Sequence, residues 1–203
     1  MIKAIIFDSD GMLTHGPRFS EQYSKEKGIS LEVMTPFFIG PFKDRLVGKA
    51  DLKEELSKGW LEKWNWTGSV DDLLGHWFSV GDLLEEEVFD SVRKLRNKGL
   101  FCVLATNQEK YRTDYLSNAF GYNTAFDKVF SSAYTGHKKP SSEFFDEIMA
   151  YFKARDTSID KKDVLFWDDD PENIEGAEIY GFEIRQFINT RRYLEQMNEL
   201  GLL

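Results

Sequence analysis

Two aspartates close the first apolar run of the chain. In MIKAIIFDSDGMLTHG, Ile2 to Phe7 carry only Lys3 as a polar residue, and Asp8, Asp10 and Gly11 follow. Carboxylates this close, at the mouth of a buried strand, repel each other and are costly to desolvate. A second acidic run, Asp168-Asp169-Asp170, follows VLFW; Thr106-Asn107 follows LFCVLA; and Lys138-Lys139 precedes Pro140. Singly, each has a bland reading: a solvated turn, a helix cap, a turn start, a solvated loop. Together they meet one physical requirement. Several carboxylates converging on one edge need a cation, and an all-oxygen site suits magnesium. A divalent ion beside a lysine and a hydroxyl forms a pocket for a phosphoryl group, whose oxygens must be neutralised. One aspartate can then attack phosphorus, and a second can protonate the leaving oxygen and later activate water.

Such convergence requires the elements that carry these residues to end on one side. Short apolar runs alternate with amphipathic stretches, and strands are expected over Ile2–Phe7, Leu100–Ala105, Lys128–Ser131, Val164–Trp167 and Phe182–Phe187. EEEVFDSVRKLRNKG begins acidic, carries Val88, Val92 and Leu95 on one face, and ends basic before Gly99, the charge order a helix dipole favours. SSEFFDEIMAYFKAR repeats an apolar face at Phe144, Ile148 and Phe152. In DPENIEGAEIYG, Asp170 suits a cap, Pro171 the first turn and Gly181 the stop. Strands alternating with helices imply right-handed crossovers and an open, mostly parallel α/β sheet. Ligands of such sheets bind beyond the carboxyl ends of the strands, where these polar groups fall.

The stretch from His15 to Gly81 differs. It shows helical patterns, FSEQYSKEKG, ADLKEELSKGWLEKW and SVDDLLGHWFS, and no convincing strand. Trp60, Trp64, Trp66 and Trp77 fall here and are read as the core of an inserted helical unit, with one or two left to line a substrate pocket.

The 203 residues suffice for a sizeable core. A net charge of -9 argues against a nucleic-acid partner, which needs a basic stripe. The one cysteine, Cys102, sits in an apolar run and is read as a buried hydrophobe. His15, His76 and His137 share no metal-like spacing. There is no signal-peptide pattern and no run approaching the roughly 20 apolar residues that span a bilayer. A cytoplasmic protein without a membrane partner is expected.

The motifs AIIFDSDG, VLATNQ, SSAYTGHKKPSSEFF and FWDDDPENIEGAEIYG resemble, in order along the chain, those of the haloacid dehalogenase superfamily of phosphatases. The resemblance implies a Rossmann-like α/β core over residues 1–14 and 82–203 and a small helical cap over 15–81. It implies Asp8 as nucleophile and Asp10 as general acid/base. Thr106, helped by Asn107, would bind the phosphoryl oxygens, and Lys139 would bridge nucleophile and phosphate. Asp8, Asp169 and the backbone carbonyl of Asp10 would ligate Mg²⁺, with Asp168 a direct or water-mediated ligand and Asn173 behind it. Ser9, where the family carries a bulky apolar residue, and Met12, where Thr or Val is frequent, depart from its pattern. The reading is a magnesium-dependent phosphatase of a small phosphorylated metabolite, such as a sugar phosphate or nucleotide. A phosphomutase uses the same residues. A haloacid dehalogenase needs no metal and typically lacks the second aspartate, and a non-catalytic binding protein would have lost a catalytic group. Lys43, Arg45 and Arg18 stand as candidates for a second anionic group of the substrate, against simple surface solvation.

Overall fold

A computed structural model describes residues 1–79 and 83–203. Five parallel strands form the main sheet: β1 (Ala4–Phe7), β4 (Phe101–Thr106), β5 (Lys128–Ser131), β6 (Val164–Asp168) and β7 (Glu183–Gln186), in the order β5-β4-β1-β6-β7. A two-stranded ribbon pairs β2 (Thr14–His15) with β3 (Leu83–Leu84). Every residue of β1 is buried, because it pairs on both sides and helices cover both faces. Alternate residues feed two cores. Ile5, Phe7, Cys102, Leu104, Leu165 and Trp167 enter one; Ala4, Ile6, Val103, Ala105, Val164 and Phe166 enter the other.

The first core is sealed by α7 (Glu86–Asn97) through Val88, Val92 and Leu95, and by α13 (Thr190–Glu199) through Tyr193 and Met197. The second is sealed by α11 (Ser142–Lys153) through Phe144, Ile148 and Phe152, and by α12 (Pro171–Tyr180). Asp170 caps α12 by accepting from the Glu172 N–H, Pro171 opens it, and Gly181 closes it in the left-handed region. The expected helix stop and caps are therefore present. The short helices α8 (Lys110–Ala119), α9 (Tyr122–Ala125) and α10 (Ser132–Thr135) complete the α/β part.

Residues 19–79 fold as α1 (Phe19–Lys27), α2 (Leu31–Ile39), α3 (Phe42–Leu46), α4 (Leu52–Leu56), α5 (Trp60–Lys63) and α6 (Val70–Ser79) around a third core. Phe19, Tyr23, Met34, Phe37, Leu56 and Trp64 lie in it. Three features go beyond the sequence reading. The single pattern ADLKEELSKGWLEKW splits into α4 and α5 because Gly59 takes φ 94°, a left-handed turn between them. LEVMTPFFI forms α2 although Pro36 lies inside it, a residue that from sequence reads as a breaker. The β2/β3 ribbon has two residues per strand, too few for a periodic signal. Of the two stretches that join the helical segment to the α/β part, THGP begins in β2, and SVGD runs into residues 80–82, outside the described residues.

Candidate active site

Register brings the acidic ends together. Phe7 pairs with Trp167, so Asp8 and Asp168, one step on, stand side by side where the strand order turns about β1. That is the switch point at which open α/β sheets bind ligands. Thr106 ends β4, buried, in register with Ser131.

Lys139 resolves the repulsion that two buried carboxylates would otherwise carry. Its ammonium, 1% exposed, donates to Asp8 Oδ1 and to Asp168 Oδ2, both at 2.6 Å. Burial alone would depress this ammonium, but the two carboxylates outweigh it and hold the lysine above its ordinary value. Burial pushes the Asp8 carboxyl well up; Lys139 opposes that rise and Asp168 adds to it. Lys138, its neighbour, is exposed.

Asp168 is held from three sides: by Lys139, by the Asp170 N–H at 2.9 Å, and by Asn173 Nδ2 at 3.1 and 3.2 Å from its two oxygens. Asp169 projects beside Gly11, whose φ of 86° belongs to the left-handed region. A Cβ on Gly11 would collide with the Asp169 carboxylate, so glycine there serves both the turn and the approach. Burial first, then Asp168, raises the Asp169 carboxyl. One carboxylate oxygen from each of Asp8, Asp168 and Asp169 lies within 4.8 Å of the others. Three convergent hard oxygens fit a divalent cation of the magnesium type, with water and substrate oxygens filling the remaining positions.

Asp10 points elsewhere, into the cavity under the helical segment, with its side chain 49% exposed. Arg112 Nη1 donates to both its oxygens at 3.0 and 2.7 Å, Gln108 Nε2 to Oδ2 at 2.8 Å, and Thr14 Oγ1 to Oδ1 at 3.2 Å. The two aspartates of one motif thus occupy different environments: Asp8 buried against an ammonium, Asp10 at a solvent-facing wall. Different environments are what separate a nucleophile from an acid/base.

Several contributors escape the sequence reading. Gln108 and Arg112 are ordinary surface types, separated from Asp10 by about a hundred positions. Gln186, the last residue of β7, donates to the Asp169 carbonyl at 3.1 Å. Asn107 grips the Lys139 peptide from both sides, accepting its N–H at 2.8 Å and donating to its carbonyl at 3.0 Å; it positions Lys139. Ser9, a departure from the family pattern, is buried with its hydroxyl 3.3 Å from the Tyr122 hydroxyl. Arg45 is no substrate cation: it is buried and paired with Glu55 at 2.7 Å. Arg18 does line the cavity, and Lys43 does not.

Glu109 caps α8, accepting the Tyr111 and Arg112 N–H groups, and is 1% exposed. Burial pushes its carboxyl from an ordinary 4.5 up to about 7, against the pull of those two donors. A folded-state value above the unfolded one means the native state binds the proton more tightly. Stability from this group is therefore full below about pH 4.5 and declines by about 3 kcal/mol as pH rises to about 7. Urea unfolding at pH 5 and pH 8 should show wild type losing more stability than Glu109→Gln across that interval. Parallel losses would remove Glu109 as the cause.

The sequence matches the model of the haloacid dehalogenase-like hydrolases over residues 2–181, and the chain belongs to that family of hydrolases. A predicted HAD-like family hydrolase from Porphyromonas gingivalis shares 25% identity and a TM-score of 0.79, with 98% of each chain covered. A HAD family enzyme from Bacteroides thetaiotaomicron, crystallised as an aspartate-to-alanine mutant in complex with magnesium and inorganic phosphate, has 22% identity and a TM-score of 0.77, over 96% of this chain and 99% of that one. The L-2-haloacid dehalogenase of Xanthobacter autotrophicus shares the fold at 17% identity and a TM-score of 0.63, over 99% of this chain and 84% of that one. No helix among the described residues is long and apolar enough to cross a membrane.

Proposed function

We propose that this hydrolase is a phosphatase of small phosphorylated metabolites, working through an aspartyl-phosphate on Asp8 with magnesium at Asp8, Asp168 and Asp169. The observation that carries the reading is Lys139, buried between Asp8 and Asp168 at 2.6 Å from each, with Asp10 on the adjoining cavity wall. A nucleophile paired with a cation beside an all-oxygen acidic trio suits a phosphoryl group better than a carbon–halogen bond. A dehalogenase needs neither the trio nor Asp10.

An Asp8 oxygen attacks phosphorus as the bond to the leaving oxygen breaks. The Asp10 carboxyl gives its proton to that oxygen, and the alcohol departs. Asp10, now a carboxylate, takes a proton from water whose oxygen attacks phosphorus, releasing inorganic phosphate and restoring Asp8. Magnesium, when bound, supplies charge neutralisation for the phosphoryl oxygens and the acidic trio. Lys139 adds a fixed positive charge, and Thr106 a hydroxyl at the same edge. Arg112 and Gln108 orient Asp10. Residues 15–81, with its aromatic core, act as a cap closing over the cavity; closure excludes water and favours small substrates over phosphopeptides.

The reading is tested by metal removal. Turnover of an aryl phosphate should require magnesium, and calcium, which accepts looser geometry and more ligands, should support little. Full activity in excess chelator would overturn it.

A further inference from the structure

The cavity above Asp10 and Asp169 has a volume of about 1020 Å³, at the upper end of the roughly 300–1,000 Å³ usual for small-molecule sites. Asp10, Gln108, Arg112 and Asp169 line it from the α/β part, and His15 and Arg18 from the segment before α1, whereas the helices α1–α6 face it chiefly with apolar side chains. Phe38, Phe42 and Trp77 line it, each only partly buried. Their centroids stand 5.5 Å (Phe38–Trp77), 5.6 Å (Phe42–Trp77) and 5.6 Å (Phe38–Phe42) apart. The three rings make one continuous aromatic surface. Among the cavity-lining residues of α1–α6, the hydroxyls of Ser20 and Thr35 and the indole N–H of Trp77 are the only side-chain hydrogen-bonding groups.

That inventory discriminates between leaving groups. A pentose or hexose phosphate places hydroxyls against this aromatic face, and each one desolvated there without a partner weakens binding roughly ten- to a hundredfold. A flat ring asks for no partner on its face and gains from stacking on aromatic side chains. Resting on the phosphatase reading above, we infer that the substrate is a phosphate monoester whose leaving group carries an aromatic or heteroaromatic ring, seated against Phe38, Phe42 and Trp77. Trp77 and Phe42 are then specificity-determining residues, acting on the group that departs and not on the phosphoryl group.

Pairs of esters sharing a primary-alkoxide leaving oxygen isolate the ring from leaving-group reactivity. Adenosine, cytidine and uridine 5′-monophosphates are compared with ribose 5-phosphate, and benzyl phosphate with glycerol 3-phosphate, by kcat/KM. Acetyl phosphate, which has neither ring nor polyol, reports the phosphatase reaction itself. The ring-bearing member should win by at least tenfold in one pair or both; the pair with the larger ratio distinguishes a nucleoside, with its ring held farther from phosphorus, from a simple aryl alcohol. Trp77→Leu and Phe42→Leu should each cut that ratio about tenfold. Because the ratio is internal to each variant, a general loss of folded or active enzyme does not change it. Polyol esters turned over as well as their partners, with acetyl phosphate hydrolysed, would overturn the inference and leave the phosphatase reading standing; so would ratios unmoved in both variants. Loss of turnover on acetyl phosphate and every ester alike would overturn both.

Discussion

Asp8→Asn should abolish turnover and leave no covalent phosphoenzyme, because an amide is not a nucleophile toward phosphorus. The loss should reach the background of the assay with good and poor leaving groups alike, since bond formation to Asp8 precedes everything else. Fold is not at stake: the amide can still meet Lys139, and one of the two buried negative charges around that lysine disappears. Asp10→Asn is the informative companion. It removes the proton donor and the water activator but keeps the nucleophile, so esters with good leaving groups should suffer least in the step that forms the phosphoenzyme. The check is single-turnover kinetics with acid-quenched phosphoenzyme on aryl phosphates of graded leaving-group strength. A near wild-type Asp8→Asn beside a dead Asp10→Asn would reverse the two roles.

Lys139→Ala should lose on two axes at once. Asp8 and Asp168 would face each other in a buried site without their shared cation, and breaking a buried pair by removing one partner costs about 3–5 kcal/mol of stability. Transition-state stabilisation falls as well, by roughly a hundredfold or more in rate, the scale of one preorganised electrostatic contact. Magnesium can replace part of the lost charge, so the fall in Tm should shrink when the metal is added. Lys138→Ala, at an exposed position, should stay within a few-fold in rate and near wild type in Tm. Differential scanning calorimetry with and without magnesium, beside steady-state kinetics, reads both axes. Equal losses at the two lysines would contradict the assignment.

The chain announces its scaffold locally. Apolar runs bounded by Asp8, Thr106 and Asp168 became β1, β4 and β6 within a residue or two, and the amphipathic patterns became α7, α11 and α12, the last with its expected Asp170 cap and Gly181 stop. These signals are local because strand and helix periods are set by backbone geometry, and burial follows from which face is apolar. The acidic ends were legible for the same reason: a carboxylate at the end of a buried strand needs an explanation whatever surrounds it. The weaker segments failed on equally local grounds. The segment of α2, with Pro36 inside it, gave no helical pattern to read, Gly59 divided one apparent helix, and two-residue strands carry no period.

What tertiary structure alone decided is which polar groups meet. Arg112 and Gln108 reach Asp10 across 102 and 98 positions, Lys139 reaches Asp8 across 131, and Gln186 reaches the Asp169 carbonyl across 17. Between Lys138 and Lys139, composition makes no distinction; the fold buries one and leaves the other in water. Arg45 and Arg18 are the same residue type in one segment, yet one is buried against Glu55 while the other lines the cavity. Aromatic residues in the helical segment divide likewise, Trp64 into the core and Trp77 to the cavity wall. Long-range pairing of side chains depends on where crossovers deliver each loop. Many residues share a type, and each side chain's partner is set by three-dimensional placement, which no local period encodes.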